Sequence, residues 1–189
     1  MKIPSIIIIG NASQAGTYLL RTRLKADTTL QFGRFKKGKL ISLTAGDYVY
    51  VGSALSEKGA TSLARRLIRH ATRSGSKPPH TIRERMIIRF AECGLGPPDL
   101  LPKRAKTLHW NVDFLLDLQL TEIVNVFAIR SPERLENRIA KCLERDPRTE
   151  VIESGLGAND APGSTHLFRF RTDNISWTSL ADSISKNFL

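Results

Sequence analysis

Apolar positions along the chain switch between strand-like and helix-like spacing. The run Ile6–Ile9, bounded by Pro4 and Ser5 before it and Gly10 after it, reads as a short buried strand that leads into the turn-like GNASQAG. Gly16–Leu24 (GTYLLRTRL) is predicted as a strand. Leu30–Leu40 (LQFGRFKKGKL) reads as a hairpin turning at Lys37-Gly38, and DYVYVGS as a strand ending at Gly52. Helical spacing then runs from about Ser62 to Arg73 and stops at SGSKPP. A second helix is predicted over Thr81–Cys93, followed by the proline-rich basic loop GLGPPDLLPKRAK, and His109–Leu118 fits either a short helix or an extended segment. IVNVFAIR is a strand. Ser131 as N-cap and Pro132 as first helical residue open the next helix, and THLFRFR is the last strand. Trp177, Leu180, Ile184 and Phe188 share one face of a C-terminal helix over about 175–188. The class this order implies is α+β. One domain over 1–189 would hold a small antiparallel or mixed central sheet flanked by helices, with its core at about 16–170 and an inserted helix and loop at about 78–106.

Composition changes this picture in one respect. The apolar and charged fractions, 41% and 25%, are those of an ordinary globular protein, whereas 29 Lys and Arg against 18 Asp and Glu leave a net charge of +11. That excess favours a polyanionic partner, nucleic acid or an anionic membrane surface. Cys93 and Cys142 have no ligand-type spacing to the histidines, which points to free thiols in a reducing compartment and so to the cytoplasm. The N-terminal apolar run is short for a secretory leader and far short of a membrane span.

The charge has a pattern in the basic helix. Leu63, Ala64, Leu67, Ile68 and Ala71 share one face, and Arg65, Arg66, Arg69, His70 and Arg73 repeat the same spacing two positions later, roughly 200° around. This predicts an apolar side packed on a sheet and an opposite strip of guanidinium forks, uninterrupted by acidic residues and suited to phosphate. A membrane-surface role fits less well, because the strip opposes only small aliphatics and has no aromatic anchors. A solvated face is the ordinary reading of such a helix, as a cross-strand aromatic is of Tyr18 or Tyr50. Glu136 stands out more: its neighbours at i±3 and i±4 are Pro132, Glu133, Ile139 and Ala140, so no intrahelical cation balances it. It also borders the apolar stripe of Leu135, Ile139, Cys142 and Leu143, at an edge position facing a cleft. His109 reads as structural. GNASQAG lacks the Gly-Lys-Ser/Thr ending of a phosphate loop.

GTYLL at Gly16–Leu20, YVG at Tyr50–Gly52 and LARRLIRH at Leu63–His70 together resemble the GIY-YIG nuclease domain, as does Glu136 within PERLENRIAKCLERD. The chain is most similar to a little-characterised branch of that superfamily, through DYVYVGSA, HWNVDFLL (His109–Leu116) and THLF (Thr165–Phe168). The resemblance covers most of Gly16–Phe170. It implies a metal-dependent endonuclease acting on DNA in preference to RNA. Tyr18 and Tyr50 would project from adjacent strands into one cleft, one of them helping to deprotonate the attacking water. Arg66 would stabilise charge on the phosphate, and His70 would orient a tyrosine or touch the scissile group. Glu136 would hold a single Mg²⁺ or Mn²⁺. The unclaimed Arg65, Arg69 and Arg73 would flank the cleft as a nucleic-acid-binding track. The chemistry is coherent, since phosphodiester hydrolysis needs an activated water, a cation at the developing charge and a positioned metal. A tyrosine with a pKa near ~10 is a poor base unless neighbouring cations lower it, and the basic helix is expected to do so. The alternative is a nucleic-acid-binding module that keeps the fold without cutting.

Overall fold

The computed structural model describes residues 5–158, 163–171 and 177–188. Pro4, the Asn159–Pro162 segment and the first residues expected of the C-terminal helix lie outside them. Among the described residues there are eight strands: β1 (Ile6–Gly10), β2 (Gly16–Leu24), β3 (Thr28–Gln31), β4 (Leu40–Leu43), β5 (Gly46–Ala54), β6 (Thr121–Arg130), β7 (Thr149–Val151) and β8 (Leu167–Phe170). The helices are α1 (Leu63–His70), α2 (Arg83–Glu92), α3 (Asn111–Leu116), α4 (Glu136–Arg145) and α5 (Trp177–Phe188). The class is α+β with a mixed sheet, an inserted helix and a C-terminal helix.

Six strands form the main sheet in the order β1-β6-β2-β5-β8-β7, and β3-β4 is a separate hairpin. Only β1 and β6 run parallel; the other pairs are antiparallel. Strict alternation along β2 and β5 sends side chains to both faces. Tyr18, Leu20, Tyr48, Tyr50 and Ala54 join a core with α1, α2 and α3. Leu19, Val49 and Val51 join the opposite core under α4 and α5, where Trp177, Leu180 and Ile184 dock. Both faces are therefore covered, which is why the central strands β2 and β5 are buried almost along their whole length.

Strand β5 runs to Ala54, past the expected end at Gly52, and two helix boundaries move by three residues or more. Helix α1 ends at His70 and not at Arg73. There the Thr72 hydroxyl bonds back to the Ile68 carbonyl (2.9 Å) and the Ala71 carbonyl accepts His80 N–H (2.9 Å), so the chain turns away. Helix α4 begins at Glu136 and not at Pro132. Ser131 caps a local turn, its Oγ accepting Glu133 N–H (3.1 Å), and the Leu135 N–H reaches Thr17 Oγ1 (3.3 Å) on β2 while its side chain is buried. The short edge strand β7 carries no signal that the sequence reading used. His109–Leu118, left open between helix and extended chain, contains α3.

A tyrosine-lined cleft and its candidate active site

Tyr18 and Tyr50 stand on neighbouring strands and the same face. In the β2–β5 register Tyr18 pairs with Gly52 and Leu20 with Tyr50, so the two rings are diagonal neighbours with centroids 6.2 Å apart. The glycine between them makes this possible: a Cβ on Gly52 would lie 2.5 Å from the Tyr18 hydroxyl and 2.9 Å from Tyr50 Cε1. The rings thus lie across the bare backbone of β5.

Beyond Val51, whose N–H donates to the His166 carbonyl (2.9 Å), β5 has no strand partner on its β8 side among the described residues. This free edge lets an element from the opposite face reach the tyrosines. Helix α4 packs in the other core, yet Glu136 at its first turn lines the same cavity of about 150 Å³ as Tyr18, Tyr50 and Arg66, together with Ser53 and Trp110. Ser53 Oγ donates to Glu136 Oε2, and His166 Nδ1 lies 3.0 Å from Oε1. His166 Nε2 is in turn 3.0 Å from Asn137 Oδ1. Burial of Glu136 opposes its ionisation, but the His166 and Ser53 contacts outweigh that and hold the carboxyl below its usual range.

Arg66 is positioned by α1, with its guanidinium carbon 4.9 Å from the centre of the Trp110 ring. Among the described residues it has no carboxylate partner. It is a half-buried cation of the cleft, which the exposed Arg134 also lines.

His70 is not on an exposed strip. It is fully buried behind Tyr18, and the Tyr18 hydroxyl is 2.8 Å from its Nε2. Its Nδ1 faces Asp113 Oδ1 at 3.5 Å. Desolvation lowers the His70 pKa to about 4 against the pull of Asp113, so the imidazole is neutral near pH 7. The partners assign the tautomer: Nδ1–H toward the carboxylate, Nε2 accepting the tyrosine proton. Asp113 is a hub. It takes a bidentate bond from Arg69 (2.9 and 2.8 Å), accepts the His109 and Trp110 N–H groups (2.9 Å each) and has Lys106 Nζ at 3.8 Å. Burial opposes its charge, but these partners pull its pKa far below the carboxylate range. The result is a buried row Tyr18–His70–Asp113, with the tyrosine hydroxyl bonded to the imidazole and the carboxylate 3.5 Å beyond its far nitrogen.

The remaining arginines part company. Arg65 and Arg69 line a different cavity, with Lys58, Ala60 and the 96–104 loop. Arg73 is 5% exposed and far from a phosphate track: it bonds the carbonyls of Pro78 (2.6 Å) and Thr121 and approaches His80 and Glu122. It sits after the end of α1, so the helical spacing that put it on the strip does not apply. The expected cationic lowering of the tyrosine pKa is also corrected. Burial raises Tyr18 and Tyr50, and Arg66 offsets only part of that rise.

Sequence reasoning passed over Asp113, Ser53, His166 and Trp110, although each stands inside a quoted motif: HWNVDFLL, DYVYVGSA or THLF. Position in a motif was the available signal.

Fold and site together define an α+β protein with a tyrosine-lined cleft at the edge of its central strand. The chain belongs to the family described as Domain of unknown function DUF123, whose profile matches residues 17–188. No curated protein and no solved structure matches it.

Proposed function

We propose that this chain is a metal-dependent endonuclease of the GIY-YIG type that hydrolyses phosphodiester bonds in DNA. The observation that supports this most is the meeting of Tyr18, Tyr50, Arg66 and Glu136, drawn from four elements and both faces of the sheet, at one cavity. Arg66 would bind a phosphate oxygen and stabilise the charge that develops there. Tyr18 would accept a proton from the attacking water as its own proton moves to His70 Nε2, and Asp113 would stabilise the imidazolium so formed. Tyr50 would position that water.

Glu136 fits a single hard cation. Each oxygen meets one neighbouring donor group, Ser53 or His166, and keeps lone-pair capacity. No group of three acidic, histidine or cysteine side chains converges among the described residues. The arrangement therefore suits Mg²⁺ or Mn²⁺ that retains water and takes a substrate phosphate oxygen, not a closed protein cage. The chemistry such an ion supplies is polarisation of the phosphoryl group and a lowered water pKa.

The partner in this reading is nucleic acid and not a bilayer. Among the described residues no helix is long and apolar enough to cross a membrane. The free thiols of Cys93 and Cys142 suit the cytoplasm. The test is incubation with supercoiled, branched and single-stranded DNA and with RNA, with and without Mg²⁺ or Mn²⁺. Metal-dependent DNA cutting that Glu136→Ala abolishes is expected, and a variant that cuts as well as wild type overturns the assignment.

A second reading, a nucleic-acid-binding module without turnover, is favoured by the burial of Tyr18, 1% exposed with its hydroxyl held by His70. Arg66→Ala separates the two: a nuclease loses rate with little affinity, a binder loses affinity alone.

A further inference from the structure

The cavity beside the candidate active site has about 760 Å³, within the ~300–1,000 Å³ of small-ligand pockets. Its two walls have different chemistry. Ala60, Pro97, Leu100 and Pro102 make a largely apolar hollow, and Lys58, Arg65 and Arg104 stand at it as cations. No partner pairs with any of these three among the described residues. Glu57, the acidic residue of the lining, has its carboxylate engaged by Ser13 Oγ (2.5 Å) and Gln14 N–H (2.9 Å).

The wall is built in advance. The 94–104 loop is tied to the β1–β2 turn by Gln14 Nε2 to the Gly94 carbonyl (2.9 Å), and Arg130 of β6 bridges the Ala12 and Ser13 carbonyls of that turn (2.8 and 2.9 Å) to the Cys93 carbonyl (2.8 Å). Gly96, at φ +84°, lies so close to α1 that a Cβ there would be 2.6 Å from Ala64 Cβ. This gives the insertion and GNASQAG a common role as the frame of one pocket.

We propose that this pocket binds a single unpaired nucleotide of the nucleic acid whose backbone crosses the tyrosine cleft. The inference deepens the nucleic-acid reading of the neighbouring site and rests on it. A phosphate track alone has no use for an apolar hollow, whereas every base carries a π-face that stacks on apolar surface and guanidinium planes. A base paired and stacked within a duplex cannot offer that face. The cations at the pocket suit the flanking phosphates. Arg65 and Arg66 are consecutive, one lining the pocket and the other the cleft, so one strand can occupy both. The preferred substrate is then DNA with an unpaired nucleotide beside the scissile bond.

The test measures binding without divalent metal, so its outcome is independent of cleavage. Fluorescence anisotropy compares a blunt duplex with the same duplex carrying one unpaired nucleotide, for wild type, Ala60→Trp and Arg104→Glu. Ala60 and Arg104 are both exposed, so neither change disturbs the core, and circular dichroism checks folding. Wild type is expected to prefer the unpaired probe roughly tenfold. Ala60→Trp, which fills the hollow, is expected to bring that ratio toward one, as is Arg104→Glu. 2-Aminopurine at the unpaired position is expected to change fluorescence with wild type and not with Ala60→Trp. Equal affinity of wild type for both probes, or an unchanged ratio in both variants, overturns the pocket. The nuclease reading instead fails if the metal-supplemented protein cuts nothing, whatever the binding ratio.

Discussion

A methyl group at position 52 would collide with two tyrosine rings at once, and that collision sets the first expectation. Gly52→Ala forces Tyr18 or Tyr50 out of place and is expected to destabilise the fold by ~1–3 kcal/mol, the cost of overpacking. Urea unfolding checks it. Tyr18→Phe tests the buried chain behind the cleft. The His70 Nε2 it exposes has no water to bond, because His70 is fully buried. The change is expected to cost ~1–3 kcal/mol, and on the nuclease reading to lower the single-turnover rate by about 10²-fold or more. Full activity in Tyr18→Phe would move the base role to Tyr50.

At the scale of elements, α1 and the turn after it place four similar arginines in four environments. Arg66 stacks on Trp110, Arg69 neutralises Asp113, Arg65 stands open at the adjoining pocket, and Arg73 bonds buried carbonyls of distant segments. Their stability effects should differ accordingly. Arg73→Ala removes the partner of buried groups and is expected to cost ~3–5 kcal/mol. Arg65→Ala should stay within about 0.5 kcal/mol, as a surface change does. Denaturant midpoints of the two variants decide this, and a near-neutral Arg73→Ala would contradict the hydrogen bonds described. The same contrast explains why the sequence pattern misplaced His70 and Arg73. Helical spacing reports which side of an isolated helix is polar, but α3 and the β6 start cover that side.

For the whole molecule, buried imidazoles govern the acid limb of stability. His70 and His80 are each held down to about 4, chiefly by desolvation, with Arg69 and Lys106 facing the first and Arg73 the second. The unfolded chain therefore binds protons that the folded chain refuses between about pH 6.5 and 4. Stability should fall as pH drops through that window, by up to ~1.4 kcal/mol per pH unit for each imidazole. Lys106, lowered to about 8 by burial, acts in the same sense between about 8 and 10.5. Thermal midpoints at pH 7, 6 and 5 check the acid arm, and a flat profile would contradict the burial. The net charge of +11 belongs to this scale as well. On the nucleic-acid reading, duplex binding should weaken with salt at a log–log slope of about −0.9 per phosphate contact, and Arg65→Ala should reduce the slope by about one.

The sequence by itself determined the order and kind of most elements, the α+β class, the two tyrosine strands and the basic helix between turn and loop. It could do so because strand and helix periodicities are local, and burial of an apolar face follows directly from them. It also singled out Glu136, since the lack of an intrahelical cation is a local fact. Which polar groups meet was decided by the tertiary structure alone. Ser53 and His166 flank Glu136 only because α4 starts at the free edge of β5, and Asp113 reaches His70 only because α3 folds back on α1. Charge pairing and desolvation depend on atoms a few ångströms apart in space and far apart in the chain, and no periodicity along the sequence encodes that distance.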